Sequence, residues 1–299
     1  MNKVLGLTFA ALLPSAAFAD QPYFELDFGV SNDFRGGEAL NSSGGGDELA
    51  EFSLVNLDGL AAFSLDSGLL FQAGLKLDRN FANAASSTIA STDDTYRLGS
   101  QFSLQIGQQL ERHYFGAYAV VGRVSFNPDD DDQDANFQSY GVQGAWYGEG
   151  WSLSASLGRL DSSADNPETI SNAFVVSAAG THDLAQDTRL TGSITLMDGE
   201  QDIDSGSTPD PVKSLQVGFE IEHMVRETSY GSLAVYGGLS LINVWEDSSS
   251  LSTDHVNDTI LSAGIRMQFG ANSAGASDRR KSPPLPEMLR ALGAVPAVD

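Results

Sequence analysis

The chain has 299 residues, with 16 Lys+Arg against 40 Asp+Glu, 31 glycines and no cysteine. A net charge of −24 excludes a nucleic-acid binder, because neutralising phosphates takes clustered Lys and Arg. Without cysteine there is no disulfide framework, thiol nucleophile or thiolate metal site, and a Gly-rich chain with only 19% charged residues suits a β protein better than a helical bundle.

The first nineteen residues read as a secretory signal. Met1-Asn2-Lys3 supplies one positive charge, Val4 to Leu13 is a short apolar run, and Ala17-Phe18-Ala19 places small residues before Asp20. The run is too short to span a bilayer, and no later stretch approaches the roughly 18 apolar residues of a transmembrane helix.

From residue 22 onward the hydrophobic period is two. Phe24, Leu26, Phe28 and Val30 alternate with Glu25, Asp27 and Gly29; Leu98, Phe102, Leu104 and Ile106 alternate with Gln101, Ser103 and Gln105. Leu215 to Ile221 and Leu261 to Phe269 repeat the pattern. Successive side chains of a strand point to opposite faces, so each segment has one apolar and one polar face. Twelve strands are expected: 22–34, 49–65, 69–80, 94–107, 113–126, 137–147, 151–160, 171–184, 188–197, 212–224, 230–244 and 257–269. Residues 49–65 change phase around Asn56 to Gly59, which reads as a bulge or a break into two strands. A tilted strand crosses a bilayer in about 9–11 residues, and most of these are long enough.

The links between strands alternate in length. Asp66-Ser67-Gly68, Gln108 to Arg112, Gly148-Glu149-Gly150, Ala185-Gln186-Asp187 and Val225 to Ser229 are short; 35–48, 81–93, 127–136, 161–170, 198–211 and 245–256 are long. A membrane-spanning meander has this alternation, with short periplasmic turns and long outer loops. The long links hold 20 acidic residues and one base, Arg35. Asp129 to Asp132 with Asp134 is the densest run. Ca²⁺ takes six to eight oxygens, but the spacing lacks the central Gly and terminal Glu of an EF-hand, so a solvated acidic loop is the simpler reading.

Signal, even strand count, alternating links and a last strand carrying Ile265, Met267 and Phe269 together resemble the Gram-negative outer-membrane β-barrels, specifically the porin-like family. The resemblance covers residues 20–269. It implies an all-β fold, a closed antiparallel up-and-down transmembrane barrel of about 12 strands in the cell outer membrane. It also implies partners: outer-membrane lipid and lipopolysaccharide, and the barrel assembly machinery, which reads the aromatic end of the last strand. Only a helix or a closed sheet pairs every backbone polar group in lipid, so the physical argument and the resemblance agree. Two aromatic girdles are expected, from Tyr114, Tyr147, Trp151, Tyr230 and Phe269 at the short turns, and from Phe34, Phe81, Tyr96, Phe126, Phe137 and Trp245 at the long loops. A secreted β-sandwich with these aromatics in its core is the competing arrangement.

Catalysis has little support. Barrel phospholipases of similar strand number place a His two residues before a Ser, whereas His113, His182, His223 and His255 are followed at that distance by Phe115, Leu184, Val225 and Asn257. No catalytic residue, cofactor or metal is assigned. The polar faces are more informative. Glu25, Asp27, Lys76, Asp78, Arg97, Arg123, Arg189, Glu220, Glu222 and Arg266 are expected to face the lumen, either lining a narrow polar pore or filling it with ion pairs. The expected function is passive diffusion of small hydrophilic solutes or ions. The alternatives are a non-conducting structural or adhesive barrel that binds divalent cations at its acidic loops, and a lipid-modifying barrel enzyme.

Residues 270–299 differ from the rest. Ala271 to Ser282 is small and polar, with Arg279-Arg280-Lys281; Pro283-Pro284-Leu285-Pro286 follows; Met288, Leu289 and Leu292 then fall at helical spacing. A periplasmic tail is expected, either with one short helix docked on the barrel or a partner, or unstructured.

Overall fold

The structure, a computed structural model, describes residues 22–37, 50–84, 98–125, 134–164, 170–201, 211–228, 231–246, 255–270 and 280–292. Residues 1–21, with the segment expected to be a secretory signal, and most of the long acidic links, Asp129 to Asp132 included, lie outside the described residues. Twelve strands follow in chain order: β1 (Tyr23–Gly37), β2 (Ala50–Ser64), β3 (Leu69–Ala84), β4 (Leu98–Gln109), β5 (His113–Ser125), β6 (Asp134–Tyr147), β7 (Trp151–Ala164), β8 (Ile170–Ala185), β9 (Thr188–Gln201), β10 (Pro211–Glu227), β11 (Gly231–Glu246) and β12 (His255–Phe269). Each pairs antiparallel with its neighbours in sequence. β1 pairs with β12 from Phe24 opposite Phe269 to Gly37 opposite Val256, which closes the sheet. Closure removes every edge, so the backbone is satisfied by strand pairing alone.

Alternation fixes which face is which. On β4, Leu98, Phe102, Leu104 and Ile106 are exposed on the outside, while Gln101, Ser103 and Gln105 are buried within. Phe24, Leu26, Phe28 and Val30 on β1, Phe219 and Ile221 on β10, and Leu261, Ile265 and Phe269 on β12 extend the same apolar belt. A soluble protein rarely leaves a contiguous apolar patch beyond a few hundred Å², and an all-round belt is covered only by lipid. A soluble sandwich is thereby set aside.

Several strands run further toward the long loops than the hydrophobic pattern marks. β1 continues to Gly37, β7 to Ala164 and β9 to Gln201. The apolar alternation stops where the wall leaves lipid, but the ladder of hydrogen bonds does not.

Residues 49–65 form one strand. β2 pairs with β1 in unbroken register from Ala50 to Ala62. Its only irregularity falls against β3, between Ser53 and Leu54. The apparent change of phase has another origin: Phe52 and Leu54 face inward and are buried, as are the inner residues at the same height on other strands. In its long-loop half the lumen wall carries an apolar cluster beside the buried Asp33, Arg35, Asp78 and Asp258, and in its short-turn half it is largely polar.

Three expected girdle residues are turned inward. Tyr114 and Tyr147 are buried in a cluster with Tyr23, Ala62 and Leu70 at the short-turn end, and Phe137 is buried in the apolar upper half. The outer girdle at the short turns is carried by Phe115, Trp146 and Trp151, with the His113 ring stacked on both Phe115 and Trp146. Tyr96, Phe126 and Tyr230 lie outside the described residues. Inward tyrosines flatten against glycines of the wall. Tyr114 lies over Gly107 and Gly116, Tyr118 over Gly141 and Gly158, and Tyr236 over Gly29 and Gly264, at positions where any Cβ would meet the ring. At the Asp66-Ser67-Gly68 turn, Gly68 has φ of 79°, and a side chain there would approach the Gln109 carbonyl at 2.6 Å. Only glycine accepts that turn without strain.

Candidate functional site: the lumen and the segment inside it

Residues 280–292 are inside the barrel rather than beneath it, which corrects the expectation of a periplasmic tail. Lys281, near the short-turn end, donates to both Glu25 oxygens at 3.1 and 2.8 Å, with its ammonium 5.9 Å from the Tyr23 ring centre. The Ser282 amide donates to Gln72 at 2.8 Å, and its hydroxyl is 3.1 Å from that of Tyr114. Further along, Glu287 pairs with Lys76. The chain then turns into α1 (Leu289–Leu292), which lies against β4 and β5.

The upper end of this segment meets the apolar wall. Met288, Leu289, Ala291 and Leu292 are fully buried with Leu54, Val120, Val175, Met197 and Ile242 among others, and Leu285 packs on the same cluster. Each buried Leu or Met contributes about 1.5–3 kcal/mol relative to exposure, so the apolar half of the lumen is accounted for by what fills it. Arg290, on α1, reaches back to the wall. It pairs with Asp33, sits 3.0 Å from Asp78 and donates to Ser31 at 3.0 Å. Beside it, Arg35 is held in a fork by Asp258 at 2.9–3.3 Å. The side chains of Asp33 and Asp78 are almost wholly buried. Such carboxylates need a fixed cation, and Arg290 supplies it.

Eight of the ten charged residues assigned to the lumen face inward: Glu25, Asp27, Lys76, Asp78, Arg189, Glu220, Glu222 and Arg266. Most converge on Arg266, whose guanidinium donates to Asp27 at 3.0 Å, to Glu220 at 3.0 Å and to Glu222, and lies 3.9 Å from Glu25. The Tyr236 ring covers it at 5.0 Å. Arg189 lies 3.1 Å from Asp183. Arg123 is on the other face. It shares the outward phase of Val121, remains half-exposed and pairs with Asp134. The inner face of β5 at that height is Val120 and Val124, so a polar-inside rule fails where the lumen wall is apolar. Arg97 lies outside the described residues.

A cavity of about 450 Å³ runs alongside residues 281–287 in the polar half. Its far wall is built from small side chains on β8 to β12: Ser177, Thr191, Ser193, Gly218, Gly238, Ser240 and Ser262. The opposite side of the barrel carries Tyr114, Tyr147 and the glutamines Gln105 and Gln143, which bond one another at 2.7 Å. The space is thus a consequence of residue size. Six carboxylates (Glu25, Asp27, Asp58, Glu220, Glu222, Glu287) and four cations (Lys76, Arg189, Arg266, Lys281) line it.

Sequence reasoning missed Ser282, Glu287 and Arg290 as lumen residues. Two signals pointed to them. The tail is basic where the lumen is acidic, and segments such as Phe174-Val175-Val176 are apolar on both faces, the pattern of a strand buried on both sides.

No family model and no curated protein matches the chain. Among solved structures, an outer-membrane channel from Pseudomonas putida F1 aligns with 86% of this chain and 100% of its own at 12% identity, with a TM-score of 0.57. A Pseudomonas aeruginosa FadL homologue aligns over 84% and 90% at 8% identity, TM-score 0.41. The Escherichia coli outer-membrane protease OmpT aligns over 85% and 99% at 12%, TM-score 0.34. The likeness is one of fold, and the fold is that of an outer-membrane β-barrel.

Proposed function

We propose that the barrel is an outer-membrane channel for small hydrophilic solutes or ions, which pass by diffusion along the Gly-, Ser- and Thr-lined side of the lumen. The observation that carries this reading is the cavity of about 450 Å³, lined by carboxylates, cations and hydroxyls among apolar side chains, left between that wall and the inserted segment. Hydroxyls and backbone there replace part of a solute's hydration shell, while the carboxylate excess around Arg266 favours cations over anions. The acid-rich outer links add to the same bias at the mouth, within about 10 Å at 0.1 M salt.

Conductance of the refolded full chain in a planar bilayer tests the proposal. Ion current with a cation preference at low salt is expected; protein that inserts and stays silent under every condition would refute it. A non-conducting structural barrel is the second reading, favoured by the closed apolar cluster around α1. A hydrolase is not favoured: the His223 ring is engaged by the Thr188 hydroxyl at 2.9 Å and His113 by aromatic rings. Fatty-acid release from phospholipid micelles, with and without Ca²⁺, is the check on that choice.

A further inference from the structure

We infer that residues 281–292 are a releasable plug, held in the lumen as a bound ligand is held, and that their departure opens the channel. The inference rests on the channel reading above.

Four features separate this segment from the barrel's own structure. It adds no strand: the β1–β12 ladder closes the ring without it. Its middle is Pro283-Pro284-Leu285-Pro286, in which three of four residues have no amide hydrogen to offer the wall, so a stiff, extended stretch passes the cavity without backbone anchorage. On one side it faces that cavity rather than packed side chains. What holds its polar stretch is a set of side-chain ion pairs, Lys281 with Glu25, Glu287 with Lys76 and Arg290 with Asp33 and Asp78, together with the hydrogen bonds of Ser282 to Gln72 and Tyr114.

The lumen is also written for this occupant. Asp33 and Asp78 are buried carboxylates whose shared cation comes from the segment, and the apolar upper wall is covered by the segment's own Met288, Leu289 and Leu292. In place, the segment closes the upper half. Displaced, it exposes the Ser/Thr wall and withdraws the Lys281 and Arg290 charges from Glu25, Asp33 and Asp78.

The test uses the full chain, which has no cysteine of its own. Cysteines replacing Gln72 and Ser282, neighbours through the bond between Gln72 and the Ser282 amide, are joined by a short reducible bis-methanethiosulfonate reagent. Joined protein should stay at its lowest conductance level, and reduction should restore openings. Separately, Arg290→Glu and the milder Lys281→Glu should lengthen the open periods several-fold. Both should speed modification of a single Ser282→Cys by a water-soluble thiol reagent by a similar factor. Equal conductance before and after reduction, with labelling unchanged in both charge variants, would overturn the plug and leave the channel reading intact. Silence of every form with accelerated labelling would sink the channel reading and leave a releasable segment.

Discussion

Arg266 shows what a single residue does in this lumen. Four carboxylates from two strands, Glu25 and Asp27 on β1 and Glu220 and Glu222 on β10, gather about one guanidinium on β12. Removing one partner from a buried ion pair costs about 3–5 kcal/mol, since the remaining charge is left uncompensated. Arg266→Gln is therefore expected to lower the unfolding free energy of the detergent-solubilised barrel by an amount of that order, read as a lower urea midpoint. Glu220→Gln, at the more exposed edge of the cluster, should cost much less. Equal midpoints for all three proteins would show that the cluster is screened by water. At Gly116, an added Cβ would meet the Tyr114 ring and stand 2.6 Å from the Ile106 carbonyl. Overpacking of this kind typically costs about 1–3 kcal/mol, so Gly116→Ala should lower the unfolding midpoint too, as Tyr114 loses its seat and its contact with Ser282.

At the scale of elements, strands and turns follow a rule of length. The tight turns at Gly148 to Gly150 and Ser67-Gly68 belong to one rim, and the long links to the other. In outer-membrane barrels short turns face the periplasm. An impermeant thiol reagent applied to intact cells should therefore modify Asp131→Cys and spare Gly148→Cys. Ser139→Cys, from a position buried on the inner face of β6, should stay unmodified until the barrel is unfolded. Labelling of the Gly148 variant alone would invert the topology. The short helix α1 shows the opposite of propensity-driven structure. Four residues do not hold a helix in water; Leu289 to Leu292 are helical because Met288, Leu289 and Leu292 are enclosed by the upper wall.

At the scale of the whole molecule, charge is distributed by height and by face. On the channel reading the carboxylates of the cavity act on passing ions, whereas Arg123, outside and paired with Asp134, does not see the lumen. Neutralising Glu220 and Glu222 together should shift the reversal potential across a salt gradient toward non-selectivity, while Arg123→Gln should leave it unchanged. The preference itself should fade as salt rises and the Debye length shrinks from about 10 Å at 0.1 M to about 3 Å at 1 M. A shift for Arg123→Gln as large as that for the paired Glu variants would place the selective region on the rim rather than in the lumen.

The sequence alone determined twelve strands, their order, the outward apolar face and the inward position of Glu25, Asp27, Lys76, Asp78, Glu220, Glu222 and Arg266, because a period of two is a local property of the chain that strand geometry turns directly into two faces. Antiparallel pairing of neighbours followed from link length. Closure was required by the backbone in lipid. What fills the barrel was not local. Arg290 lies 257 residues from Asp33, and nothing in the spacing of either announces the other. Phe52, Leu54, Val120 and Val124 are apolar on the inner face, in one buried cluster with Met288, Leu289 and Leu292 of the inserted segment, so Arg123 was assigned to the wrong side and Asn56 to Gly59 to a bulge or a break where the ladder is continuous. Burial on a second face depends on which distant segment occupies the space, and only the tertiary structure decides that.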